Sequence, residues 1–306
     1  MRCEAPILFL VFNRPDHTRL ALERIRLAQP RRLYVHCDGA REQVAGERDR
    51  VEAVRAVVQA LTTEWDVQVF TLYREQNAGL RAGVSGALDW FFEAEPYGIV
   101  LEDDCVPDLS FFPFCAELLE KYRDDDQIMH IGGSNLVEAI TADKPASYVF
   151  SRFSFVWGWA GWRRAWKKMS PDLEGLDDFV RSGRISDLVK DPMAQAYMLD
   201  KFRATKAREN NSWAYAWFYS ILKNNGLCLV SSRNLVQNTG VGEAGATNTT
   251  GSNPAARRAA GQMLFPLLHP VDRTPDPGLE QQFFYVSQKR RLRLYLWYVL
   301  HRLGLR

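Results

Sequence analysis

Over its first 132 residues the chain alternates short apolar runs with amphipathic stretches, and this alternation restricts its fold more than any other feature. Ile7 to Phe12 reads as a continuous apolar strand. Pro15-Asp16 then opens a helix carrying Leu20, Ile25 and Leu27, with Asp16 as a candidate cap. Leu33 to Cys37 gives a second strand ending at Asp38-Gly39, and a helix over Glu47 to Leu61 leads to a third strand, Val67 to Tyr73. The turn Asn77-Ala78-Gly79, a helix over Arg81 to Phe92 and a fourth strand, Ile99 to Leu101, complete the series. Strand and helix repeated in this way imply an α/β fold, a parallel sheet covered on both faces.

Polar residues fall at one end of these strands. Asn13 and Arg14 follow the first, Asp38 the second, Asn77 the third, and Glu102, Asp103 and Asp104 the fourth. All stand at carboxyl ends, the edge where open α/β sheets bind ligands. Three adjacent carboxylates at the end of a buried strand repel one another and resist desolvation, so they need a counter-charge that the neighbouring sequence does not supply. A divalent cation carrying a phosphate ligand would supply it; a strand that ends in a solvated acidic turn has the same signature. Hard oxygen donors select Mg²⁺ or Mn²⁺, ions that keep waters and bridge to substrate phosphates. For a diphosphate, Arg14, Arg81 and the amides around Gly79 at a helix start would offset the remaining charge.

Composition narrows the partners. Hydrophobic residues at 46% and charged residues at 25% describe a folded globular chain, and 306 residues suffice for a large core. The net charge of +2 argues against a nucleic-acid binder, because the basic residues cluster only at the C-terminus. Cys3, Cys37, Cys105, Cys115 and Cys228 are odd in number and lack a Cys-x-x-Cys pair, which reads as reduced thiols in a cytoplasmic protein. The apolar run from Ala5 to Phe12 is too short to span a bilayer and lacks a cleavage site, so neither secretion nor a transmembrane segment is expected.

Beyond residue 147 the chain turns aromatic, with Phe153, Trp157, Trp159, Trp162 and Trp166 in close succession and Trp213 further on. Such density serves core packing; with Gly158 and Gly161 between the rings it also suits a bent segment that lines a pocket, where a sugar face or base stacks. The glycine-rich stretch 238 to 254 is either a linker or a loop that closes over a ligand. Residues 289 to 306 form a basic amphipathic helix, with Leu292, Tyr295, Leu296, Val299 and Leu303 on one face and Arg290, Arg291, Arg293 and Arg302 off it. That helix either docks on its own domain or lies peripherally on an anionic membrane, here the inner face.

These motifs together resemble a known family. The opening strand with Asn13-Arg14-Pro15, Asp38-Gly39, Asn77-x-Gly-Leu-x-x-Gly, Glu102-Asp103-Asp104, the Gly-Trp segment at 158 to 162 and Asn224-Asn225-Gly226-Leu227 are similar to bacterial nucleotide-sugar glycosyltransferases of the family 2 type. More distantly they resemble N-acetylglucosaminyltransferase I. The resemblance covers about residues 5 to 250 and implies the GT-A fold, a Rossmann-like, mostly parallel sheet flanked by helices with a smaller mixed acceptor-side half. It implies one catalytic domain over 1–288, with a nucleotide-sugar half at 1–135 and an acceptor half at 136–288, followed by the helix at 289–306. By the same resemblance Arg14 meets the diphosphate, Asp38 the nucleobase, Glu102 and Asp103 the ribose and sugar, and Asp104 the metal.

The implied activity is a Mn²⁺- or Mg²⁺-dependent hexosyl or N-acetylhexosaminyl transfer, with inversion. Its donor would be a UDP-sugar, and its acceptor a hydroxyl of a cell-surface polysaccharide or lipid-linked glycan. Two departures stand out. Where similar proteins carry an acidic base ahead of a Trp, this chain has Asn210-Asn211-Ser212-Trp213, and an amide takes no proton, which leaves Glu209, then Asp200 and Glu243, as candidate bases. Relatives place a His in the late loop where this chain reads Gly245-Ala-Thr-Asn248. Both departures suit a non-catalytic nucleotide-sugar-binding module, while a sugar nucleotidyltransferase lacks its phosphate loop here. His36 is expected to serve the core beside Asp38, and His17, His130, His269 and His301 show no metal spacing.

Overall fold

Four parallel strands, apolar through most of their length, form one side of the sheet: β1 (Ile7–Val11), β2 (Arg32–Cys37), β3 (Gln68–Tyr73) and β4 (Tyr97–Glu102), in the order β3-β2-β1-β4. The structure is a computed structural model describing residues 2–141, 145–242, 258–287 and 291–303. Ile7, Phe9 and Val11 of β1 face one helical layer and Leu8 and Leu10 the other, so this strand has no wet face. Helices α1 (Pro15–Ala28) and α2 (Glu47–Thr62) cover the first face through Leu22, Ile25, Val51, Val54 and Val58. Helix α3 (Leu80–Ala94) covers the second through Val84, Leu88 and Phe91.

Two details of α1 differ from expectation. Leu20 and Leu27 are exposed, because the helix buries Thr18, Ala21, Leu22 and Ile25 instead. Asp16 makes no cap; Arg14 holds the cap position, Pro15 opens the first turn, and Asp16 lies within that turn, where its charge suits the helix dipole.

The remaining elements extend the sheet. They are β5 (Cys105–Pro107), α4 (Phe111–Lys121), β6 (Ile128–Gly132), α5 (Glu138–Thr141), β7 (Tyr148–Ser151), β8 (Trp159–Trp162), α6 (Arg163–Trp166), α7 (Leu176–Arg181) and α8 (Arg184–Leu188). Then follow α9 (Pro192–Lys206), α10 (Trp213–Lys223), β9 (Leu227–Ser231), β10 (Val236–Asn238), α11 (Pro277–Ser287) and α12 (Arg291–Arg302). β8 runs antiparallel between β4 and β6 and joins both halves into one eight-stranded sheet, β3-β2-β1-β4-β8-β6-β9-β7. Only β7 and β8 run against the other strands, which makes the sheet mostly parallel. β5 and β10 pair antiparallel in a separate two-stranded sheet.

Tryptophan rings fill the core beneath β8. Trp159 stacks on His130, with ring centroids 5.0 Å apart, and lies near Trp213 and Trp217; Trp162 packs on the opposite face and donates its indole N–H to the Leu119 carbonyl at 3.1 Å. A further cluster gathers α7 to α11 around Phe202, Tyr219 and Phe283. All five cysteines are free and buried. No helix among the described residues is long and apolar enough to cross a membrane.

Candidate functional site

Strand order reverses beside β1, since β2 and β3 extend the sheet on one side and β4 adds to the other. The crevice at the carboxyl ends of β1 and β4 is therefore the switch point, the position where such sheets hold ligands. Arg14, three residues past β1, meets the acidic triplet there. Its Nη2 donates to Asp103 Oδ1 at 2.5 Å and to Asp104 Oδ2 at 3.0 Å. The counter-charge missing from the local sequence is this guanidinium. Burial works against the Arg14 charge, but Asp103 and Asp104 more than offset it and raise its pKa.

The arginine is not fully used. Its Nη1 is buried with no hydrogen-bond partner, although a guanidinium carries five donors. An unmet buried donor costs about 1–3 kcal/mol and points to an acceptor that completes it. The carboxylates are under matching stress. Burial, then Asp104 and Asp103, drives Glu102 well above the usual carboxylate range; burial raises Asp103 too, with Arg14 opposing and Asp104 adding.

A segment distant in sequence closes over this group. β10 pairs with β5, register Asn238 to Cys105, and carries the chain to Thr239, whose N–H donates to the Asp104 carbonyl at 2.8 Å. Next comes Gly240, where a Cβ would stand 2.3 Å from Asp104 Oδ2 and 2.7 Å from Arg14 Nη1. Only glycine permits that approach. Gly240→Ala is expected to cost about 1–3 kcal/mol, read as a lower urea midpoint, because the added methyl displaces Asp104 or Arg14; an unchanged midpoint would mean that the segment yields freely.

Asp38 shapes the edge rather than leaving acceptors for a base. Its Oδ1 accepts from the Gly39 and Ala78 amides at 3.0 and 2.9 Å, and its Oδ2 from the Ala78 and Gly79 amides at 3.1 Å each. These three amides engage both oxygens, so Asp38, expected to meet a nucleobase, here organises the turn before α3. Asn77 assists by donating to the Gly39 carbonyl at 2.7 Å. Asn13 donates to Glu47 at 2.8 Å, and the same Glu47 accepts from Arg41, whose hydrogen bonds hold its pKa down near 2. Glu47 and Arg41 carried no motif, and their pairing depends on the loop between β2 and α2.

Other expected site residues lie elsewhere. Arg81 donates to the carbonyls of Thr205 and Pro171, which ties α3 to the region of α9 instead of leaving it for a diphosphate. Trp159, Trp162 and Trp213 are buried against other side chains, so they offer no open face for a sugar, and half-buried Trp157 packs on the main core. Asp200 pairs with Lys201 at 3.2 Å, and Glu209 is exposed on the turn after α9; neither is bonded to the triplet or to Arg14. Glu243 lies outside the described residues. Asn210 fixes the start of α10, accepting from the Ser212 amide at 3.1 Å.

Among the described residues no three His, Cys, Asp or Glu side chains are grouped to cage a metal. The crevice instead presents adjacent Asp103 and Asp104 beside a guanidinium with a spare donor. That donor set fits Mg²⁺ or Mn²⁺ held by one or two carboxylates, with substrate phosphates completing the shell.

No family model and no curated protein matches the chain. Among solved structures it is similar to HddC from Yersinia pseudotuberculosis, at 11% identity and a TM-score of 0.28, over 48% of this chain and 59% of that one. The chain thus spans less than two thirds of that protein. It is also similar to the apo form of mouse xyloside xylosyltransferase 1, at 14% identity and a TM-score of 0.35, over 72% of this chain and 81% of that one. Likenesses this shallow bear on neither activity nor substrate.

Proposed function

We propose that the chain is a glycosyltransferase that moves a sugar from a nucleotide diphosphate, UDP in the first instance, to a hydroxyl of a glycan or lipid-linked acceptor, with inversion. The observation that carries this reading is Arg14, clamped to Asp103 and Asp104 at the switch point with one buried donor unmet. Asp104, with Asp103 beside it, would hold Mn²⁺ or Mg²⁺, which supplies charge stabilisation to a departing diphosphate. Arg14 offers the diphosphate a fixed cation. Asp38 and Asn77 keep the β3–α3 turn in shape, and the Thr239-Gly240 backbone covers the triplet.

Thermal unfolding with UDP, UDP-sugars and Mn²⁺ tests the reading. Saturation at a hundredfold over Kd is expected to stabilise the chain by about 2.7 kcal/mol, dependent on metal and lost in Asp104→Asn. A shift that persists in Asp104→Asn, or none with any nucleotide sugar, would sink it. A second reading, a binding module without turnover, is favoured by Asn210, which stands at the expected base and is committed to the start of α10. Metal-dependent UDP binding without donor hydrolysis or transfer would select it.

A further inference from the structure

Helix α12 turns its apolar side outward. Trp297 docks on the body, meeting Tyr197 of α9 edge-on with ring centroids 6.2 Å apart. On the other side Tyr295 is 54% exposed, Leu296 52%, Leu300 36% and Leu303 65%. At 100° per residue these four positions share one arc of about 140°, so a single apolar strip faces away from the protein. A helix held only to bury its own apolar face would present these residues to α9 instead.

Charge identifies what covers the strip. Residues 289 to 306 hold Lys289, Arg290, Arg291, Arg293, Arg302 and Arg306, and no Asp or Glu. A second copy laid on the strip would bring two uniformly cationic segments together. An anionic lipid surface matches both properties: it accepts leucine and tyrosine side chains at the depth of the acyl boundary and attracts every basic residue of the segment. The twelve residues of α12 extend about 18 Å, too short to span the hydrocarbon core and suited to lying in the interface.

We infer that the outward face of α12 is a docking surface for anionic bilayers. It rests on α12 and its flanking sequence and stands whether or not the chain transfers a sugar. In flotation assays the full chain is expected to rise with vesicles of phosphatidylcholine containing about one third phosphatidylglycerol, and to bind at least about tenfold more weakly to phosphatidylcholine alone or in high salt. Leu296→Glu with Leu300→Glu, both at exposed positions, is expected to reduce that binding about tenfold or more, with an unchanged melting temperature. Arg291→Gln with Arg293→Gln is expected to weaken binding to the anionic vesicles alone, which separates charge attraction from apolar insertion. Failure to float with the anionic vesicles, or equal flotation of the leucine variants, would overturn the assignment. So would a dimer in light scattering that dissociates in the leucine variants.

Discussion

Arg14→Met is expected to destabilise the chain by about 3–5 kcal/mol, measured by urea unfolding at neutral pH without divalent ions. The methionine keeps most of the side-chain volume, so the loss reflects charge rather than a cavity. Asp103 and Asp104 are both buried, and Arg14 is the partner that bonds to each. Without it, two adjacent carboxylates share a desolvated crevice, and at least one must take up a proton. For a chain of 306 residues the melting temperature is expected to fall by on the order of 10 °C. Mn²⁺ should then restore more stability to the variant than it adds to the parent, because the ion enters a site with no resident cation. A variant as stable as the parent would mean that the carboxylates are solvated, and a destabilised variant indifferent to Mn²⁺ would remove Asp103 and Asp104 as metal ligands.

The same pair shows how far the sequence carries. The end of β1 and the triplet after β4 are both visible as polar residues closing apolar runs, so their meeting at one edge follows from a parallel sheet alone. Which groups bond there does not follow. Arg14 could serve a phosphate or the triplet, and Asp38 a base or its own turn, with identical residues in each case; the loop backbones decide, by placing three amides around Asp38 and one guanidinium between Asp103 and Asp104. Gly240 was hidden for a related reason. Its contact with Asp104 depends on β5 pairing with β10, in which Cys105 meets Asn238, 133 positions further along the chain.

The second half of the sheet was less legible than the first. Strands β1 to β4 stand within two residues of the boundaries set by their apolar runs, because helices cover both faces and most positions are apolar. β8 lies within the aromatic segment, and a Trp-Ala-Gly-Trp run has no alternation that separates a central strand from a pocket lining. Its place between β4 and β6 is set by packing: Trp159 on one face against His130, Trp162 on the other beneath α4. Gly158, at φ +65°, makes the turn that delivers the chain into that strand.

His130 and His36 each make the folded chain less stable as the pH falls. Both are buried, and burial lowers each pKa from 6.5 to about 4, with Arg74 adding to the effect on His36. For His130 the hydrogen bonds allow one neutral tautomer. The Trp217 indole can only donate, so Nδ1 accepts it at 3.3 Å and Nε2 carries the proton toward the Phe155 carbonyl at 3.0 Å. A second proton would face the indole N–H. Between pH 6.5 and 4 the unfolded chain therefore binds protons that the folded chain refuses, and stability falls as the pH falls through this window. Each histidine accounts for about 3 kcal/mol. Glu102 and Asp103, whose pKa values are raised, act in the opposite sense, since their folded forms hold protons that the unfolded chain has lost. The difference between parent and variant isolates one histidine: His130→Gln, which retains a donor and an acceptor, is expected to lose less stability than the parent between pH 7 and 4, by about 3 kcal/mol, in urea unfolding. Parallel stability curves for the two proteins would mean that His130 is protonated in the folded chain, contrary to its contacts with Trp217 and Phe155.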